Sequence, residues 1–298
     1  MTPVTRPRWL DTFGEALAAG DLDAALRAIE SQATAHAGTA PAAEKRAAVK
    51  EALKRLPAER LPETALWFAG HDSATAKELG ALLLAQSYPQ HPREAVAALR
   101  RLAGDSNWEV REWAGSAAGL IFDAHFDEIL PRMRDWLRDE SQFVRRAVCI
   151  ALMGAADAKR PERAGPLLSL ADVLAGDPAE EVKRNTGPFA VGGALLGKYP
   201  QQTLEHVRRW AASGDEMRCW NAAMVFVAAN SRNHIEDGLA ILSGLASDRR
   251  RPVWMAVGSA LKYLVNRDPD RVVPELRAWL LDDRKLPASL ALRQVTLK

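Results

Sequence analysis

The sequence predicts an all-α fold, a right-handed α-solenoid of HEAT-like helical repeats, on three observations. A short phrase recurs, in which an aliphatic residue and a basic or polar pair open an Ala- and Gly-rich stretch. It stands at Ala76-Lys77-Glu78, Val110-Arg111-Glu112, Val144-Arg145-Arg146, Val182-Lys183-Arg184 and Met217-Arg218-Cys219, with a weaker copy at Val253-Trp254-Met255. The spacing of about 34 to 38 residues is the length of two short helices and their turns. A second phrase closes the helix before each anchor: Arg101-Leu102 then Asp105, Asp135-Trp136 then Asp139, Arg209-Trp210 then Asp215, Ala278-Trp279 then Asp282. The third observation is negative, since no segment alternates strictly between apolar and polar residues and β-branched residues are sparse beside Ala and Leu.

Residues 1 to about 60 fit the repeat poorly and read as a helical cap, with helices over Arg8–Ala19, Leu22–His36 and Ala42–Leu56. From 61 to 298 the chain reads as about six helical pairs continuous with the cap, one domain in all. Within each pair the Asp of the turn, followed by Ser106, Ser141 or Pro178, supplies the side-chain oxygen that caps the second helix.

Composition narrows the function. With 298 residues the chain can bury a core that needs no metal or disulfide staple. Lys and Arg number 40 against 38 Asp and Glu, so a nucleic-acid surface has to be a local patch. Cys149 and Cys219 lie in apolar helical patterns, as buried thiols of a reducing compartment do. The start, Met1 to Gly14, carries Arg6, Arg8 and Asp11 where a signal peptide has an apolar run. No apolar stretch approaches the roughly 20 residues of a spanning helix. A cytoplasmic monomer without a membrane segment is expected.

Each second helix has an apolar stripe at about 100° per residue; from Val110 it continues through Ala114, Ala117 and Ile121. Glu112 lies on the other side, and Trp108, four residues before it, shares its face. The same arithmetic places Glu78, Arg146 and Arg184 opposite their stripes. In a stack of pairs these residues line the concave side, with Arg111, Arg145, Lys183 and Arg218 beside them. A basic groove with carboxylates at one end is the expectation. Charged residues opposite a core stripe are also what an ordinary solvated face carries, and repetition in register is what singles these out. Trp108 either faces this groove or fills space between repeats.

Other chemistry is excluded motif by motif. Gly192 to Lys198 reads GxxxxGK, yet Tyr199 follows where a metal-binding Ser or Thr is needed, and the stretch sits inside a repeat helix. The six histidines (His36, His71, His91, His125, His206 and His234) are scattered, with no pair at ligand spacing, so neither a metal nor another cofactor is expected. GxSxG, GxGxxG and HExxH are absent.

Asn107-Trp108-x-x-x-Glu112, followed one repeat later by Phe143-Val144-Arg145-Arg146, resembles the DNA alkylation repair family of HEAT-like-repeat DNA glycosylases, over roughly Asp72 to Phe226. The resemblance implies a protein that binds double-stranded DNA and excises N3- or N7-alkylated purines. It implies Glu112 as the catalytic carboxylate, Trp108 against the lesion's sugar or base, and Arg146 on the backbone phosphate, with Arg111, Arg145, Lys183, Arg184 and Arg218 as DNA-binding cations. Members commonly carry a second aromatic. In the matching stretch Arg184 to Phe189, helical phase turns Pro188 to the groove and Phe189 to the core. Many members have Asp where Glu112 stands. The alternatives are a non-catalytic HEAT scaffold that holds an acidic partner or nucleic-acid backbone, and a repeat lyase acting on a small conjugate.

Overall fold

The structure, a computed structural model, describes residues 7–35 and 38–293. The chain is all-α, an α-solenoid of HEAT-like helical pairs, with no strand among the described residues. It divides into two compact units, residues 1–124 and 125–298.

The first unit begins with α1 (Arg8–Ala19) and α2 (Leu22–Glu30), joined by Gly20 in the left-handed region at φ 83° and by Asp21, whose carboxylate caps α2 through the Ala24 N–H. The helix expected to run to His36 ends at Glu30, and His36 itself lies outside the described residues, as do Met1 to Arg6 of the charged start. Next come α3 (Ala42–Arg55), α4 (Leu61–Gly70), α5 (Ala74–Ser87), α6 (Pro92–Ala103) and α7 (Trp108–Ala124). The α7 stripe is buried as its periodicity predicts: Val110, Ala114 and Ala117 are fully covered and Ile121 nearly so.

The second unit holds α8 (Phe126–Trp136), α9 (Gln142–Ala155), α10 (Ala164–Ala175) and α11 (Glu180–Asn185). A π-helical stretch (Thr186–Leu195) follows, then the short α12 (Leu196–Lys198). The unit is completed by α13 (Pro200–Ala212), α14 (Glu216–Met224), α15 (Ile235–Ala246), α16 (Arg251–Arg267), α17 (Pro269–Trp279) and α18 (Lys285–Leu292). Both cysteines are buried, and burial pushes the Cys149 thiol up to about 12. No described helix is long and apolar enough to cross a membrane.

The turns repeat one device. The carboxylates of Asp105, Asp139, Asp177, Asp248 and Asp282 each accept the backbone N–H two residues on, at 2.8 to 2.9 Å. This arrangement redirects the chain and satisfies a donor at the head of the next helix. In each unit a basic residue of the anchor phrase then reaches the Asp of the following turn: Lys77 to Asp105 at 2.8 Å, Arg145 to Asp177 at 2.6 Å. Arg145 also donates to the carbonyls of Asp139 and Glu140 at 2.8 and 3.0 Å, and Arg111 does the same to Asp105 and Ser106 at 2.8 and 2.9 Å.

The π-helical stretch corrects one expectation. Phe189, assigned to the core by α-helical phase, is 56 % exposed. Bonds of i→i+5 type turn each residue through a smaller angle than the α-helix does, so the α-helical phase fails there. The stretch packs closely against its neighbours. A Cβ on Gly187 would meet the Asn221 carbonyl oxygen at 2.7 Å, and one on Gly192 would meet that of Val225 at 2.3 Å. The Asn221 side chain accepts the Gly187 N–H at 2.9 Å, and Asn230 donates to the carbonyls of Gly192 and Gly193 at 3.1 and 2.9 Å. Gly192 is also the first glycine of the near-match to a phosphate loop, and its place inside a helix, with Gly197 in the helix that follows, leaves no cradle for phosphate.

Arg145→Ala is expected to lower stability by about 1–3 kcal/mol, because it strands the Asp177 carboxylate and two turn carbonyls. Arg184→Ala, which loses only an exposed i,i+4 pair with Glu180, is expected to cost about 0.3–0.5 kcal/mol. Urea unfolding of both variants separates the two cases.

Candidate DNA repair site

In the first unit a pocket of about 620 Å³ lies between α7, the residues leading into α3, and α5. The α7 wall is one helical face, Trp108, Glu109, Glu112, Trp113, Ser116 and Leu120. Their offsets of one, four, five, eight and twelve residues from Trp108 keep them on the side away from Val110 and Ala114. The opposite wall contributes Thr39, Pro41, Lys45 and Arg46, and Leu82 comes from α5.

The head of α7 is held rigidly. Asn107 donates its N–H to Asp105 and accepts the Glu109 N–H on its own side chain, both at 2.8 Å. Burial alone would raise the Asp105 carboxyl, but the Lys77 ammonium and the Asn107 N–H outweigh it and hold the group below the usual carboxylate range. On this fixed turn Trp108 stands 64 % exposed, and Glu112 follows one turn later on the same face. The structure thus brings Trp108 and Glu112 to one pocket.

The floor was not legible in the sequence. Lys45, although ionic, is only 2 % exposed; its ammonium donates to Glu78 and stands 4.7 Å from the centre of the Trp113 ring. The Arg46 guanidinium lies 5.8 Å from the same ring, a second cation on its face. Glu109 accepts a hydrogen bond from the Thr39 hydroxyl at 2.6 Å. Glu78, expected to face the groove, is instead fully buried. That expectation fails because α3, an element outside the repeat pattern, packs over the side of α5 that the repeat alone would leave open. Burial raises the Glu78 carboxyl to about 7, with Lys45 opposing the rise and Glu109 adding to it. The one trace of this in the sequence is Lys45 itself, in register with Ala48, Val49 and Ala52 on the buried stripe of α3.

Of the remaining candidates, Arg111 sits on α7 in the first unit, engaged by the carbonyls of Asp105 and Ser106, and the others belong to the second unit. Arg146 points at Glu181 with 3.6 Å between charged atoms and is largely covered. Arg145 is engaged by Asp177 and the turn carbonyls. The Lys183 ammonium stands 4.6 Å over the Trp220 ring, Arg184 pairs with Glu180 at 2.7 Å, and Arg218 is exposed beside Gly176. No cluster of His, Cys, Asp or Glu able to hold a metal occurs among the described residues.

The sequence profile of the DNA alkylation repair enzyme family matches residues 38–189, a segment holding the whole α7 wall together with Lys45, Glu78 and Arg146. The chain belongs to that family. No curated protein matches it. Among solved structures it is similar to AlkD2 from Streptococcus mutans, at 15 % identity over 91 % of this chain and 97 % of that one, with a TM-score of 0.36. It is similar also to YibA from Escherichia coli, at 15 % identity over the whole of both chains and a TM-score of 0.42. A designed armadillo repeat protein in complex with a (KR)4 peptide gives 17 % identity over 68 % of this chain and 99 % of that one, with a TM-score of 0.33.

For this DNA alkylation repair protein the buried carboxyl sets a pH dependence of stability. Glu78 is raised from 4.5 to about 7 in the fold. Its contribution is therefore fully present below the unfolded value and is lost as pH rises through about 7. Glu78→Gln is expected to gain on the wild type in thermal unfolding as pH rises across that window, and a difference constant with pH would contradict the assignment.

Proposed function

We propose that this member of the DNA alkylation repair family is a DNA N-glycosylase that removes N3- or N7-alkylated purines from double-stranded DNA. The observation that carries the reading is the exposed Trp108 ring beside the Glu112 carboxyl in a single pocket, within the segment that matches the family.

The chemistry asks for little more. A purine alkylated at a ring nitrogen is cationic in the nucleotide and leaves readily, so the enzyme has to stabilise an oxocarbenium-like sugar and admit water. Glu112 supplies the negative charge, and the electron-rich face of Trp108 attracts a cationic sugar or base. Arg146, which has a phosphate-matching guanidinium fork, is assigned to the DNA backbone. Lys183, Arg184 and Arg218 are assigned to further phosphates; Arg111 and Arg145 would meet the backbone from the turns they fasten.

Base release from methylated duplex DNA is the deciding assay. Glu112→Gln is expected to leave DNA affinity equal or slightly higher, since a negative charge is removed, while release falls by about 10²-fold or more. Trp108→Ala is expected to slow release as well. Affinity is expected to fall steeply with salt as counterions are released from the backbone. Undiminished release by Glu112→Gln would overturn the catalytic assignment, and salt-independent affinity would overturn the phosphate track.

A further inference from the structure

Below the Trp108–Glu112 wall, the mechanism just given leaves three charges unused: Lys45, Glu78 and Glu109. Glu78 is fully buried, and its Oε2 takes the Lys45 ammonium while no donor reaches Oε1. The carboxyl that faces Glu78 is Glu109, which acts on it both as a charge and as a hydrogen-bonding partner. Two carboxylates in that relation repel, and a single proton between them turns one into a donor for the other. The orphaned oxygen is thus a proton site.

The surroundings are fixed. Lys45 from α3 and Glu109 from α7 are the charges that act on Glu78. Glu30 from α2 and His71 after α4 are both bound to Ser73 at the head of α5, and Arg101 from α6 is bound to the Ala69 carbonyl. Glu109 itself is aimed by the Thr39 hydroxyl and opens into the same pocket as Glu112, three residues further along α7.

We propose that Glu109 is a further catalytic carboxylate of this site, which takes a proton from the water that attacks C1′ of the alkylated nucleotide and shares it with Glu78. The proposal rests on the glycosylase reading. As the C1′–N bond breaks, its electron pair goes to the cationic purine, which leaves neutral. The water oxygen bonds to C1′ and one of its protons passes to Glu109, where the Glu78 carboxylate holds it until it returns to solvent. Glu112 stabilises the sugar cation, so the two carboxylates of α7 divide the work. Glu78, held by Lys45, is a positioning residue that keeps the pair ready to accept.

The pair is a base only while unprotonated, and Glu78 lies raised to about 7. Single-turnover release by the full chain is therefore expected to fall about tenfold per pH unit on the acid side of that value. Glu109→Gln is expected to lose about 10²-fold at alkaline pH, and Glu78→Gln to move the acid limb to lower pH. An infrared band of a protonated carboxylic acid is expected to titrate near neutral pH in the wild type and to vanish in Glu78→Gln. If Glu78→Gln does not fold, Thr39→Val, which releases Glu109 from its hydroxyl, is expected to shift the same limb. A wild-type profile flat through neutral pH, or undiminished release by Glu109→Gln, would overturn the proposal. Absence of release by the wild type on any alkylated duplex would instead overturn the glycosylase reading, and the catalytic role of Glu109 with it. The infrared titration stands apart from both, and its absence refutes the shared proton alone.

Discussion

The contact on which the helical array depends is the aspartate that recurs at five of its turns, locked by the backbone N–H two residues on and, at Asp105 and Asp177, by a basic side chain from the preceding repeat. The N–H bond is local and fixes where the second helix begins. The ion pair is long-range, spanning 28 residues from Lys77 and 32 from Arg145, and fixes one helical pair against the next. Both ends are partly buried, where charged partners are less screened by solvent than at the open surface. The geometry at the head of α7 follows from this arrangement, since Trp108 and Glu112 leave a turn held by the Asn107 N–H and by Lys77 at once.

Much of this was legible in the sequence because it is periodic. The bounds of α1 are as read, α3 ends one residue early at Arg55, and every anchor phrase opens a second helix. Trp108 and Glu112 share a face because a spacing of four residues guarantees it. Three features were beyond such reading. The burial of Glu78 depends on α3, which does not repeat. The exposure of Phe189 depends on a change of helical pitch that no α-helical wheel contains. The Glu109 and Lys45 contacts join residues 70 and 33 positions apart, and periodicity carries no information about such pairings. The recurring Arg111 and Arg145 stand between these cases: their repetition was plain, and the structure adds that it also serves the turns.

The pocket's electrostatics follow from burial. A charged Lys and a charged Glu taken out of water are tolerated only as a bonded pair, and the aromatic face of Trp113 gives the ammonium a second favourable partner. Glu109 then meets a carboxyl whose charge is half compensated, and its hydrogen bond to Thr39 settles which way it points. Carboxylates separated by three residues on one helix thus face different environments: both line the pocket, and Glu109 is in addition tied to Thr39 and to the buried Glu78. Such a difference is what lets two chemically identical groups take different parts in one reaction.

The π-helical stretch bears on how an array of this kind tolerates change in length. From Val182 to Met217 the chain runs 35 residues, one more than the 34 from Ala76 to Val110. A helix that switches from i→i+4 to i→i+5 bonding absorbs an added residue without lengthening a loop or shifting the flanking contacts. Gly187 and Gly192 leave room for that wider coil against its neighbour, and Asn230 supplies donors for carbonyls of the altered ladder. The wider coil is here confined to ten residues, after which the chain returns to α-helix in α12 and α13.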